Sequence, residues 1–156
     1  MVKGMNLKSI FPAILCILVG FFMSNFMFEQ YDKGMDAKVS SERSNVYFFQ
    51  IGVYSSLENM KESLKNVETY IYEESDKLFY AYVGMTKDSA NLEKIEGYFK
   101  ELGYVIYRKE KRVNSATFQE VLSQYDLMLK ETTDKKTIGS IMGQVISKYE
   151  ELVLSD

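Results

Sequence analysis

Tyr47-Phe48-Phe49-Gln50-Ile51-Gly52-Val53-Tyr54 reads as a strand ending in a glycine turn, and the chain writes it twice. The second copy is Phe79-Tyr80-Ala81-Tyr82-Val83-Gly84-Met85-Thr86. Val83-Gly84-Met85 follows Ile51-Gly52-Val53 by 32 residues, and Asn91-Leu92 follows Asn59-Met60 by the same 32. Further on the offset is 35: Leu64 matches Phe99, Val67 matches Leu102, and Ile71-Tyr72 matches Ile106-Tyr107. An offset that changes once, by one helical turn, is what a duplicated strand–helix–strand unit leaves behind.

Working outward from the first copy, a strand over residues 46–54 places Phe49, Ile51 and Val53 on one face and Phe48, Gln50, Gly52 and Tyr54 on the other. Ser55-Ser56, with Glu58 just beyond, starts a helix whose apolar stripe is Leu57, Met60, Leu64 and Val67. Residues 69–73 form a second strand and 74–77 a turn. The second unit repeats the plan. A strand over 78–85 is followed by a helix with Leu92, Ile95, Phe99 and Leu102 inward, closed by Gly103, and by a last strand over 104–109.

This β-α-β-β-α-β order predicts an α+β fold of the ferredoxin-like type. Its four-stranded antiparallel sheet has strands one and three at the centre and both helices on one side. Phe49, Ile51, Ala81, Val83, Ile71 and Ile106 are expected beneath the helices. The opposite face then carries Phe48, Gln50, Tyr70, Tyr72, Tyr80, Tyr82 and Tyr107. An open sheet face normally alternates to polar residues; this one alternates to aromatics around one amide. Such a surface suits stacking on the C–H faces of sugars, stacking on bases, or burial beneath another part of the chain. Base stacking requires basic surroundings, and the chain carries a net charge of −3.

These residues carry a resemblance. Phe49-Gln50-Ile51-Gly52-Val53-Tyr54-Ser55 resembles the opening strand of a SPOR domain, of the form hydrophobic-Gln-hydrophobic-Gly-x-aromatic-Ser. Tyr80-Ala81-Tyr82-Val83-Gly84 resembles that family's second glycine strand, and Leu102-Gly103-Tyr104 its closure. The resemblance covers residues 45–113. It implies binding to bacterial peptidoglycan glycan strands, particularly those stripped of stem peptides, in cell division or sporulation. In such domains the open sheet face is the glycan site, which carries over to Gln50 and Tyr82; alternation alone adds Phe48, Tyr72, Tyr80 and Tyr107. The chain departs from the pattern at Tyr82, where many members carry Arg, and at Met85, where Pro is usual.

Residues 10–28 are free of charge and just long enough to cross a bilayer, so a transmembrane helix is expected there. Lys3 and Lys8 precede it and Glu29 and Asp32 follow, which places residues 1–9 in the cytoplasm and the rest outside. No small-residue cleavage site closes the stretch, so an uncleaved single-pass anchor is expected in place of a signal peptide. Residues 29–44 read as a polar tether. After the sheet domain, 114–156 read as a helical hairpin. Its two stripes are Phe118, Val121, Leu122, Tyr125, Leu129 and then Ile138, Ile141, Met142, Val145, Ile146, Tyr149. A hairpin of this kind either packs on the sheet domain or, over 115–154, binds a protein partner or a second copy of the chain.

Composition narrows the chemistry. The chain has 12 Tyr and 10 Phe, no Trp, no His and a single cysteine, Cys16. Without histidine the commonest neutral-pH base and zinc ligand are missing. Glu73-Glu74 are neighbours on a strand and point apart, unlike a catalytic carboxylate pair. No phosphate loop, nucleophile elbow or metal-spaced cluster is present. Catalytic residues, a metal, a cofactor and a nucleic-acid partner are therefore not expected. Two functional readings remain: a membrane-anchored wall-glycan binder, and a membrane-anchored scaffold that binds a protein through the sheet face or the C-terminal helices.

Overall fold

The computed structural model describes residues 45–155. The anchor and tether expected over 10–28 and 29–44 lie outside the described residues. Among the described residues no helix is long and apolar enough to cross a membrane.

The chain runs β1 (Asn45–Tyr54), α1 (Leu57–Ser63), β2 (Ile71–Ser75), β3 (Leu78–Thr86), α2 (Leu92–Glu101), β4 (Tyr107–Arg112), α3 (Ala116–Glu131) and α4 (Lys135–Tyr149). A single 3-10 turn, Ser89–Asn91, leads into α2, and a π-helical turn, Glu150–Leu154, extends α4. The four strands form one antiparallel sheet in the order β2-β3-β1-β4. The two glycine strands are thus the central pair, as the duplication predicts.

Local chemistry sets most boundaries. The Ser56 hydroxyl accepts from the Asn59 N–H at 3.2 Å and starts α1, and Ser115 and Asp134 do the same for α3 and α4. Gly103, at φ +86°, ends α2. The N–H of Gly103 donates to the Lys100 carbonyl and that of Tyr104 to the Phe99 carbonyl, each at 3.0 Å, which is a Schellman closure.

Two strand boundaries differ from expectation. β2 begins at Ile71 and β4 at Tyr107, both later than the alternation suggested. Tyr104 is held by the helix closure, so Ile106 falls outside the last strand; the ladder of β4 instead runs from Tyr107 opposite Gln50 to Arg112 opposite Asn45.

The register differs too, and it moves side chains between faces. Asp76 and Lys77 both have positive φ, 52° and 63°, and make a two-residue hairpin turn between β2 and β3. That turn pairs Ser75 with Leu78 and hence Ile71 with Tyr82 and Tyr72 with Ala81. Paired residues share a face, so Ile71 lies with Tyr82, and Tyr72 lies on the helix side with its ring 6.1 Å from Phe79. Both placements reverse the expectation. In β1 the register shifts on either side of Gln50, leaving Val83 of β3 and then Ile51 of β1 without a direct partner. The shift at Ile51 flips the alternation beyond it, so Val53 pairs with Tyr80 and is 43% exposed, not buried beneath the helices.

The helices occupy both faces. Met60 and Leu64 of α1 pack on Ala81, while Ile95 and Phe99 of α2 join Phe49 in the main core. An ion pair between Arg108 of β4 and Glu96 of α2 fixes the same side. Helices α3 and α4 pack on each other, and α4 packs directly on β3. β2 reaches only as far as Tyr82 on that strand, and α4 comes close beyond it: a Cβ added to Gly84 would stand 2.6 Å from Met142 Sδ. Phe118, Leu122, Leu129, Ile141, Met142, Val145 and Ile146 share one core with the sheet residues Val46, Phe48 and Met85.

Candidate functional site

The face opposite α1 and α2 carries Val46, Phe48, Gln50 and Val53 from β1, with Tyr80, Tyr82 and Met85 from β3, as the ladder pairings and the Phe48–Tyr82 ring contact require. Its flanks are Ile71 and Glu73 of β2 and Tyr107, Lys109 and Lys111 of β4. It divides into two halves.

One half is covered. Four rings interlock edge to face: Tyr82 on Phe48 (5.4 Å between centroids), Phe48 on Tyr149 (5.4 Å) and Tyr149 on Phe118 (5.1 Å). Each such contact contributes about 0.5–1.5 kcal/mol beyond simple burial. Phe118 lies in the first turn of α3 and Tyr149 is the last residue of α4, so the open end of the hairpin seats on this half. Phe48 is 1% exposed and Tyr82 is 2% exposed. Lys111 reaches across the strands, with its ammonium 4.3 Å from the Tyr82 ring centroid and 5.2 Å from that of Phe48, and ion-pairs with Glu73. The Tyr82 hydroxyl donates to the same Glu73 carboxylate at 2.9 Å. Burial, helped by that carboxylate, pushes the Tyr82 phenol up from its ordinary value.

The far end of the hairpin is held by polar contacts. Asp126 of α3, 3% exposed, accepts from the Thr86 hydroxyl, from the Lys87 N–H at 3.0 Å and from the Asn91 amide at 3.3 Å. Burial outweighs these donors and raises the Asp126 carboxyl above its ordinary value. Lys94 of α2 donates to the backbone carbonyls of Leu129, Lys130 and Thr132, which satisfies the C-terminal end of α3. Lys130 pairs with Asp88, whose carboxyl is held below its ordinary value by that contact.

The other half is not covered in this way. Val53 is 43% exposed and Tyr107 58%; Tyr80 is half-buried and Glu73 exposed. Gln50 forms the boundary row with Tyr82 on one side and Tyr107 on the other. It is 5% exposed, and its Oε1 accepts no hydrogen bond from any described residue. A buried carbonyl without a donor costs about 1–3 kcal/mol, and Gln50 is paired across the ladder with two tyrosines. The arrangement combines exposed aromatic surface with one buried acceptor that has no donor among the described residues. Among the described residues no group of three or more acidic or thiol side chains is placed to hold a metal.

Of the six residues assigned to the site from sequence, the sheet brings Phe48, Gln50, Tyr80, Tyr82 and Tyr107 onto one face and sends Tyr72 to the other. Phe48 and Tyr82 are sealed beneath the hairpin. Alternation missed Val53, which it put on the face of Phe49 and Ile51, and it gave Glu73 and Lys111 no part in the site. The tight turn at Asp76-Lys77 was the available signal, because a two-residue loop fixes the β2–β3 register outright.

No protein-family model matches this chain, and no curated protein or solved structure does.

Proposed function

We propose that this chain is a membrane-anchored, extracytoplasmic module that binds peptidoglycan glycan strands in bacterial division or sporulation. In this reading the open half of the sheet face holds the strand: Gln50, Tyr80 and Tyr107, with Val53 as apolar floor. Three things support it: the ferredoxin-like order of a SPOR-like domain, the charge-free segment at 10–28, and above all Gln50. Its carbonyl has no donor among the described residues and becomes an acceptor for a sugar hydroxyl when the side chain turns outward, and the half-buried Tyr80 and exposed Tyr107 offer rings for stacking on pyranose C–H faces. The site is shorter than the full sheet face, because the hairpin takes the remainder, so it matches a few sugar rings.

The reading is tested by cosedimenting the full-length protein, in detergent, with amidase-treated and with intact wall sacculi. Retention on the amidase-treated sacculi exceeding that on intact ones is expected. Equal failure on both removes the proposal.

A second reading is favoured by the covered half. There the aromatic face already receives two helices, from its own chain, through Phe118 and Tyr149. A fold whose sheet takes helices in this way also suits a membrane-anchored scaffold for a protein partner, and failure on both sacculi leaves that reading standing.

A further inference from the structure

A cavity of about 260 Å³ opens between the loop at residues 66–69, the C-terminal turn of α2 and one side of α4. None of its residues belongs to the open half of the sheet face, so a ligand held there is independent of the glycan reading. Its floor exists because α4 presents Gly139 and Gly143 there. Tyr98 lies against Gly139, where any Cβ would collide with its hydroxyl, whereas a Cβ at Gly143 would meet nothing closer than Thr69 Oγ1 at 3.5 Å. The walls are aromatic and apolar: Tyr98 and Phe99, whose rings meet edge to face at 5.0 Å, then Tyr104, Val83 and Met142. Leu102, 54% exposed, stands at the rim. Among the described residues that line it, Glu68 alone carries a charge, and Glu68 is exposed at the mouth.

A carboxylate that shares a cavity lining with two tyrosine rings, without a lining cation, is complementary to a positive charge. The negative face of each ring and the carboxylate act in the same direction. The Tyr98 phenol is raised chiefly by burial and further by Glu68 and Tyr104, which places these groups within electrostatic reach of one another. The volume falls below the roughly 300–1,000 Å³ typical of drug-sized sites, so the ligand is the size of one side chain. The mouth also offers the Thr69 hydroxyl as an acceptor beside Glu68. Three donors on one nitrogen can use such acceptors; a quaternary nitrogen has none to offer.

We propose that this cavity is a binding site for a primary alkylammonium group. The ammonium sits between Glu68 and Thr69 at the mouth, and the alkyl chain lies along Tyr98, Tyr104 and Leu102 above Gly143.

The test is saturation-transfer NMR on the full-length chain in a maltoside detergent, which carries no ammonium group. The probes are n-butylammonium, its neutral analogue 1-butanol, and tetramethylammonium. n-Butylammonium is expected to bind at least tenfold more tightly than either of the others. Glu68→Gln, at an exposed position, is expected to weaken n-butylammonium about threefold or more. Gly143→Leu fills the cavity and is expected to abolish its binding, and Glu120→Gln, an exposed control elsewhere, leaves it unchanged. Equal binding of 1-butanol, binding of tetramethylammonium as tight as that of n-butylammonium, or wild-type binding by Glu68→Gln overturns the proposal. Because Glu68→Gln alters no packed side chain, the result stands even if Gly143→Leu does not fold.

Discussion

The covered and open halves of one sheet face are built from the same materials and have different fates. Phe48 and Tyr82 in one half, and Tyr80 and Tyr107 in the other, sit on adjoining strands a few residues apart. Phe48 and Tyr82 are core residues, while Tyr107 meets solvent. Nothing intrinsic to a tyrosine on a strand decides this. The difference is made by Phe118 and Tyr149, which lie far along the chain and seat on only one half. Aromatic content on a sheet is therefore no measure of an open site until the segments that can cover it have been placed.

The largest effect expected on this comparison comes from Phe118→Ala. The side chain is fully buried, and its loss opens a cavity and removes one ring contact, so a destabilisation of about 3–5 kcal/mol is expected by urea denaturation. A cost below about 1 kcal/mol would mean that the hairpin does not seat on the sheet.

Asp126→Ala acts at the other end of the hairpin. It leaves Thr86, the Lys87 N–H and Asn91 without their acceptor, for a cost of roughly 1–3 kcal/mol. The pH dependence has a definite sign. The folded carboxyl sits above its ordinary value of 3.8, so the protonated form is the one favoured by folding. Its contribution is fully present below that value and is lost as pH rises through the folded value. The cost of Asp126→Ala is therefore greater at low pH than at neutral pH, measured as the difference between the two denaturation midpoints at each pH.

A smaller effect is expected from Lys111→Ala, which removes the ammonium above Tyr82 and Phe48 together with a half-exposed ion pair to Glu73. About 1 kcal/mol or less is expected. A larger loss would show that the ammonium helps to seal the covered half, which would sharpen the boundary between the two.

Much of this architecture is legible in the sequence, and the exceptions share a cause. The duplication at Tyr47–Tyr54 and Phe79–Thr86 yields the element order and the central strand pair, and Ser56 and Gly103 mark helix ends through local hydrogen bonding. What alternation alone could not place is anything beyond a break in the alternation. The register shifts around Gln50 turned Val53 outward, and the Asp76-Lys77 turn sent Tyr72 to the helix side. Alternation carries information only along an unbroken ladder. The covering of Phe48 and Tyr82 lay beyond reach for another reason. The stripes of α3 and α4 show that the hairpin buries one side, but not against which surface. The cavity at Glu68 was equally hidden, since it joins a loop, the end of α2 and two glycines of α4.

The comparison is tested most directly by binding to amidase-treated sacculi with one substitution in each half. Tyr107→Ala, at an exposed ring, is expected to leave stability unchanged and to reduce retention of the full-length protein about tenfold or more, equivalent to roughly 1.4 kcal/mol. Lys111→Ala, in the covered half, is expected to leave retention unchanged. Wild-type retention by Tyr107→Ala, or loss of retention by Lys111→Ala alone, would contradict the assignment of the glycan site to the open half of the sheet.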